Sequence, residues 1–434
     1  MTAVYSADWV LPVDAEPIPQ GGVAVADGRI VAVGPAAELD GDERHHHDEC
    51  AIIPGFVNAH THLEYAAYAG FGDALPFGEW LATHVSRKRS LDREDFAAIA
   101  RAGAADCLAS GVTTVADCSF SGAAAEAAAA LGLRAIVYLE VFGTEPEDVL
   151  RRFADLRATA EPYQSDLVRL GVSPHAPYSV SRDAYRACSA LGLPLATHVS
   201  ESSAEVRYLR NGSGPWQGLD FLVEPPGTTG PRLLDEEGVL GPAVLAVHCV
   251  QVEADEIGLL ARHGVGVAHC PRSNALLGCG VAPVAALLAD GVRVGLGTDS
   301  PASTPSFDMF DELRAAVMLA RTVSEDAGAM TATEALRLAT LGSAEALRME
   351  PQVGSLTPGK QADLAIVSLT GSPLLPWEDP AGAVVLGGAP ERVCRTIVGG
   401  KTRFLRGESQ WHELRQSAAV ARSRMLASAA GSSR

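Results

Sequence analysis

The chain has 434 residues, 34 basic against 53 acidic, for a formal charge of −19. A balance this acidic argues against a nucleic-acid partner, which needs a basic footprint, and suits a soluble protein. Hydrophobic residues make up 47% of the chain, enough for a large core, and a barrel of about 250 residues or more can be one unit.

Eight cysteines (Cys50, Cys107, Cys118, Cys188, Cys249, Cys270, Cys279 and Cys394) form no Cys-x-x-Cys pair. That disfavours a zinc ribbon or a thioredoxin-type motif, and reads as reduced core residues of a cytoplasmic protein. The first 19 residues are broken by Asp8, Asp14 and Glu16 and do not read as a signal peptide. No uncharged apolar run reaches about 18 residues, so no membrane span is expected.

Residues 1–51 read as β structure, with a hairpin turning at Asp27-Gly28. His45-His46-His47 falls in 40–49, expected to be a charged, solvated loop. From residue 52 to about 350 strands and helices alternate. Ala51-Ile52-Ile53 reads as a buried strand leading into Gly55-Phe56-Val57-Asn58-Ala59-His60-Thr61-His62. Asp92 can cap a helix that ends before Gly111. Further strands are expected at 112–116, 134–139, 167–172, 193–197, 243–247, 265–268 and 292–297, with helices between them. Alternation of this kind predicts an α/β fold, a (β/α)8 TIM-like barrel. Residues 351–410 return to β character and are expected to join 1–51 in a small β-sandwich domain built from both chain ends. The segment 411–434 reads as a helix fading into a mobile Ala/Ser/Gly tail.

Residue types that bind metal recur at the C-terminal tips of these strands: His60 with His62, then His175, His198, His248, His269 and Asp299. Active sites of such barrels lie at that end. On an extended backbone His60 and His62 point to one face, so two imidazoles converge. Three imidazoles and a carboxylate suit one divalent ion, zinc first, with iron accepting the same geometry. The ion lowers the pKa of its water to about 7, which makes hydroxide available as the attacking group. Asp299 can hold the metal and take up the proton, and Glu201, three residues past His198, is placed to donate one. The fourth strand ends in Ser173-Pro174-His175 and offers no lysine for carboxylation, so a two-metal centre is not expected. Cys249 and Cys270 adjoin site histidines but face away on their strands, and His84, His263 and His412 read as surface or helix residues.

His60-Thr61-His62, His198-x-x-Glu201, His248, His269-Cys270-Pro271-x-Ser273-Asn274 and Gly297-Thr298-Asp299 together resemble the amidohydrolase superfamily. The likeness extends to Gly354-Ser355-Leu356 and Pro358-Gly359-Lys360-x-Ala362-Asp363-Leu364 in the small domain. Within the superfamily, His-x-x-Glu and the missing lysine resemble the mononuclear aminohydrolases. That resemblance implies His60, His62, His198 and Asp299 as metal ligands, His248 orienting the nucleophile, and Glu201 protonating a ring nitrogen. It further implies a small-molecule purine nucleoside substrate and a homodimer.

Phe77-x-Glu79-Trp80-Leu81, Ser173-Pro174-His175 and Glu205-Val206-x-Tyr208-Leu209 resemble the aminodeoxyfutalosine deaminases of the alternative menaquinone pathway. On that likeness Glu64, Trp80, His175, Glu201 and Ser300 are expected to touch substrate. Deaminases of methylthioadenosine and S-adenosylhomocysteine usually carry a ribose-binding carboxylate shortly after the Trp-Leu, where this chain reads Ser86-Arg87-Lys88-Arg89. Arg87 and Arg89 would suit the carboxybenzoyl group of aminodeoxyfutalosine, since Arg pairs carboxylates bidentately; the alternative is a solvated helix end. Glu64 has its own alternative, a carboxylate that packs its loop. Hydrolases of guanine, cytosine, pterin or triazine rings, the halide-displacing relatives among them, are the competing substrate classes. A barrel that has retired from catalysis should have lost ligands, and this chain keeps them.

Overall fold

The computed structural model describes residues 1–370, 378–409 and 411–432. Two sheets organise the chain. One is parallel, and its eight strands run in chain order: Phe56–Thr61, Val112–Ser119, Arg134–Val141, Val168–Pro174, Leu195–Val199, Val244–His248, Gly266–His269 and Arg293–Leu296. Its middle strands alternate as a barrel requires. Ala135, Val137, Val199, Val244 and Val267 join the large cluster shared with the helices. Ile136, Tyr138, Ala196, Leu245 and Ala268 form a separate cluster on the opposite face, inside. Glu140 continues the inward register of Ile136 and Tyr138, and His198 continues that of Ala196.

Closure is made by polar groups at the top of the first and last strands. The N–H of Asp299 donates to the His60 carbonyl at 3.0 Å, and Thr61 and Asp299 form a parallel bridge. The Asn58 amide clamps Thr298, accepting its N–H at 3.0 Å and donating to its hydroxyl at 2.7 Å. Gly297 makes this approach possible: a Cβ there would lie 2.7 Å from the His60 nitrogen. The expected barrel is therefore present.

The second sheet is mixed and draws on both chain ends, as expected. Its order is Lys401–Leu405, Val393–Val398, Leu364–Ser368, Glu43–Pro54, Thr2–Val10, Gly21–Ala26 and Arg29–Pro35, with Ile18–Pro19 beside Thr2–Val10. The hairpin turns where expected, with Asp27 and Gly28 both at positive φ, 51° and 77°.

Two expectations are corrected in this sheet. The histidine run is not a loop: His45, His46 and His47 lie in Glu43–Pro54, paired in parallel with Tyr5, Ser6 and Ala7. Backbone pairing with Thr2–Val10 overrides local polarity, and His45 stacks on Tyr5 at 5.0 Å between centroids. Ile52 and Ile53 also belong to this strand, paired with Ile366 and Ala365. The change of sheet falls at Gly55, and the histidines sit on a new strand.

The barrel and this sheet meet at a buried bidentate pair. Arg134 Nε and Nη2 donate to the two oxygens of Asp363 at 2.8 and 3.1 Å. The helix Arg93–Ala109 has the expected Asp92 cap, whose carboxylate accepts the Asp95 N–H at 2.9 Å. The last helix, His412–Ser432, packs on it through buried Ala421 and Met425 and through Arg424 with Asp95 at 2.7 Å. The helix runs through to Ser432, and the rest of the expected tail, residues 433–434, lies outside the described residues. No helix among the described residues is long and apolar enough to cross a membrane.

Candidate metal centre and its cavity

The tips of the first, fifth, sixth and last barrel strands converge. His60, His62 and His198 bring ligand nitrogens within 4.8 Å of one another. Asp299 Oδ1 lies 3.6 Å from His60 Nε2 and 3.7 Å from His62 Nε2. The loops holding them are strained. Ser200, His248, Cys249 and Asp299 all have positive φ, between 48° and 73°. Left-handed backbone at non-glycine residues costs about 1–3 kcal/mol each and concentrates where function demands a geometry.

These residues fit a divalent metal ion. His62 Nδ1 meets the Cys118 carbonyl at 2.8 Å, and His198 Nδ1 meets the His175 carbonyl at 2.8 Å. A carbonyl only accepts, so each Nδ1 carries the proton and each Nε2 presents a lone pair, as metal-ligating imidazoles do. His60 Nε2 is buried and has no hydrogen-bond partner among the described residues. The separations of 3.6 and 3.7 Å are too long for hydrogen bonds but close to the edge, about 3.4 Å, of a tetrahedron with 2.1 Å ligand bonds. Asp299 is oriented by Ser273 and Ser303, whose hydroxyls donate to Oδ2 at 2.6 and 2.8 Å. Burial works against its charge; His60, then His248 and His62, outweigh burial and hold its carboxyl well below the usual range. Burial also pushes His62 down to about 3, so it stays neutral and able to ligate.

Two further groups face the same point. His248 Nε2 lies 3.6 Å from Glu201 Oε1, and its Nδ1 is held 3.0 Å from Asn274 Oδ1. Burial first, then Asp299 and Glu205, push the Glu201 carboxyl well above the ordinary range. A carboxyl kept protonated near neutrality is a proton donor. Glu205 fixes its backbone, accepting the N–H of Ser200 at 2.8 Å and of Glu201 at 2.7 Å.

The sequence signature of the amidohydrolase family matches residues 51–403. The chain belongs to the amidohydrolase family. It is 35% identical to a 5-methylthioadenosine/S-adenosylhomocysteine deaminase of Syntrophobacter fumaroxidans, over 88% of this chain and 87% of that one. A 5'-deoxyadenosine deaminase of Methanothermobacter thermautotrophicus is 33% identical over 91% of this chain and 92% of its own. Among solved structures, an adenosine deaminase from Xanthomonas campestris with bound zinc superposes with a TM-score of 0.88, at 29% identity and 98% coverage of both chains. As a member of that family the chain is a hydrolase acting on C–N bonds.

The centre of this amidohydrolase opens into a cavity of about 580 Å³, lined by His62, Trp80, His175, His198, Glu201, His248, Asp299 and Ser300 among others. That set includes Trp80, His175, Glu201 and Ser300 of the expected substrate residues. Three others lie elsewhere. Glu64 is buried behind the site, where it accepts the N–H groups of Phe120, Ser121 and Ala123 at 3.1–3.2 Å and the hydroxyls of Ser119 and Ser121. It packs its loop by holding the start of the helix Ala123–Leu131. The Arg87 guanidinium stacks 3.9 Å over the Phe71 ring, outside the cavity lining, and Arg89 is exposed. Helical rotation is the reason: Trp80, His84 and Lys88, spaced by four on the helix Phe77–Lys88, share the cavity face.

That spacing brings in Lys88, given no role in the sequence reading, and His84, read there as a surface or helix residue. The latter is buried beside Trp80, 4.3 Å between ring centroids, and is not a surface residue. Glu140 was missed as well; its inward register on the third strand was the available signal. Arg152 lines the mouth. His269, Cys249 and Cys270 are buried outside the cavity lining. His263 reaches the surface, paired with Asp235 at 2.8 Å.

Proposed function

We propose that this amidohydrolase removes the 6-amino group of an adenine-type nucleoside by hydrolysis, releasing ammonia. The observation that carries the reading is the meeting of His60, His62, His198 and Asp299 with Glu201 and His248 at the floor of a cavity of nucleoside size. Deaminases of adenine nucleosides among the relatives support it.

His60, His62, His198 and Asp299 would hold the ion, assigned as zinc from the imidazole-rich ligand set and the zinc of the neighbouring structure. When bound, zinc makes a water nucleophilic near neutral pH. Asp299 takes the proton that this water loses. His248, fixed through Asn274, orients the nucleophile and the oxygen that replaces nitrogen at C6. Glu201 protonates the ring nitrogen beside C6, and the proton held on Asp299 passes to the amine, which leaves as ammonia. The experiment is ammonia release, with the ultraviolet change from adenine to hypoxanthine, on a panel of nucleosides and free bases. No turnover of any adenine nucleoside would remove the reading.

Within this class we assign aminodeoxyfutalosine as the substrate. Phe77, Trp80 and Phe142 give the cavity aromatic walls for a benzoyl ring, and Arg152 at its mouth supplies the cation for a carboxylate. Arg152 takes over the role expected of Arg87 and Arg89. The second reading, methylthioadenosine or S-adenosylhomocysteine, is favoured by the names of the relatives. A kcat/KM comparison of the three nucleosides separates them. A preference for aminodeoxyfutalosine that Arg152→Ala abolishes supports the first.

A further inference from the structure

The proposed chemistry leaves two charged groups of the cavity wall without a task, Glu140 and Lys88. Glu140 is 3% exposed, and its Oε1 is buried without a hydrogen-bond partner among the described residues. Lys88 ends the helix Phe77–Lys88, its Nζ 4.0 Å from the centroid of Phe120 and 4.7 Å from that of Tyr65. Among the described residues the ammonium makes no hydrogen bond or ion pair. A buried acceptor and a cation of opposite sign thus face one cavity, and among the described residues the protein gives neither Glu140 Oε1 nor the ammonium a hydrogen bond.

Glu140 also groups with His175 and His198, their ligand atoms lying within 4.8 Å of one another. A second metal is a poor occupant. His198 Nδ1 is taken by the His175 carbonyl, and its Nε2 belongs to the first centre. His175 Nδ1 is engaged by Ser179 at 2.7 Å. One carboxylate and one imidazole nitrogen remain, too few for a divalent ion. A polyol suits the pair better. A carboxyl group offers two oxygens to neighbouring hydroxyls, as acidic residues do for ribose, and a cation beside it can donate to a sugar oxygen.

We propose that Glu140 and Lys88 form the sugar subsite of this enzyme, Glu140 accepting from the 2'- and 3'-hydroxyls and Lys88 donating to a sugar oxygen beside them. The inference rests on the nucleoside reading above and deepens it. With the purine's reacting edge at the metal centre, the glycosidic edge points away from it, and the sugar comes to the wall past His175 and His198. The subsite makes the enzyme selective for ribonucleosides.

The test is kcat/KM of the zinc-loaded protein on adenosine, 2'-deoxyadenosine, 3'-deoxyadenosine and 2',3'-dideoxyadenosine, for wild type, Glu140→Gln and Lys88→Met. Wild type should prefer adenosine over the dideoxy analogue by about tenfold or more. Each variant should bring that ratio close to one while keeping one metal ion per chain and a cooperative thermal transition. Were one variant to misfold, the other carries the test. A ratio that survives both substitutions overturns the proposal, as does a wild type indifferent to the hydroxyls. Two ions in wild type and one in Glu140→Gln would replace the sugar subsite with a metal site. If wild type turns over no adenine nucleoside, the nucleoside reading fails and takes this inference with it. If turnover occurs and the ratio does not move, only this inference fails.

Discussion

Glu205 accepts a hydrogen bond from the backbone N–H of Glu201 at 2.7 Å, one turn of chain away. A buried carboxylate of the following helix therefore sets where the proposed proton donor stands. Glu201→Gln should keep the metal and the fold and lose about a hundredfold to ten-thousandfold in kcat, the range of general acid–base groups. Steady-state rates beside metal content check this. A Gln variant as active as wild type would move the donor elsewhere.

His60→Ala removes a nitrogen that has no hydrogen-bond partner among the described residues. The variant should lose bound metal and activity together. Metal analysis after gel filtration reads the first and ammonia release the second. Retention of one ion per chain with full activity would show that His60 is not a ligand.

Glu64→Ala separates a structural carboxylate from a substrate contact. It strands the backbone N–H groups of Phe120 and Ser121 ahead of the helix Ala123–Leu131 and leaves that of Ala123 only the Ser121 hydroxyl at 3.3 Å. Each unsatisfied buried donor costs about 1–3 kcal/mol, so the melting temperature should drop by several degrees. KM for the nucleoside should stay within about twofold, because Glu64 lies outside the cavity lining. A large rise in KM with an unchanged melting temperature would restore Glu64 to the substrate site.

Gly297→Ala tests barrel closure. Its Cβ would lie 2.7 Å from the His60 nitrogen, so the first and last strands must part. Because Asp299 and His60 sit on either side of that seam, the expected result is weakened metal binding and a loss of about 1–3 kcal/mol in stability. Chelator competition and thermal unfolding measure the two.

The metal-free protein should lose stability as pH rises from about 6.5 to 8. Burial is the first cause of each shift involved. It raises Glu205 and Glu312 from 4.5 to about 7, and Glu140 from 4.5 to about 8. The native state then holds protons the unfolded chain has released, and stability falls as pH rises through 7 to 8. Burial lowers His84 and His248 from 6.5 to about 4 and His269 to about 3. Below 6.5 the unfolded chain binds protons these residues refuse, which offsets the gain from the carboxyls down to about 4.5, and only below that does stability fall with pH. Thermal unfolding in chelator from pH 5 to 8.5 reads the curve; a monotonic rise would contradict it.

The alternation of apolar runs and helices, and histidines at the ends of those runs, were legible because strand burial and strand direction are local properties of a parallel barrel. They were enough to bring His60, His62, His198, Glu201, His248 and Asp299 to one mouth before any coordinates. The hairpin at Asp27-Gly28 and the Asp92 cap were legible for the same reason, since a few adjacent residues decide them.

What required the tertiary structure was every choice between two local possibilities. His45-His46-His47 is polar enough for a loop, yet a partner strand 40 residues away made it a strand. Arg87, Lys88 and Arg89 are equivalent in one dimension, and the angle at which their helix docks turned only Lys88 inward. Glu64 follows a metal-binding histidine motif, yet hydrogen-bond donors from residues 119–123 turned it away from the cavity. A side chain's type is written in the sequence, but the direction it faces depends on packing between segments that are distant in the chain.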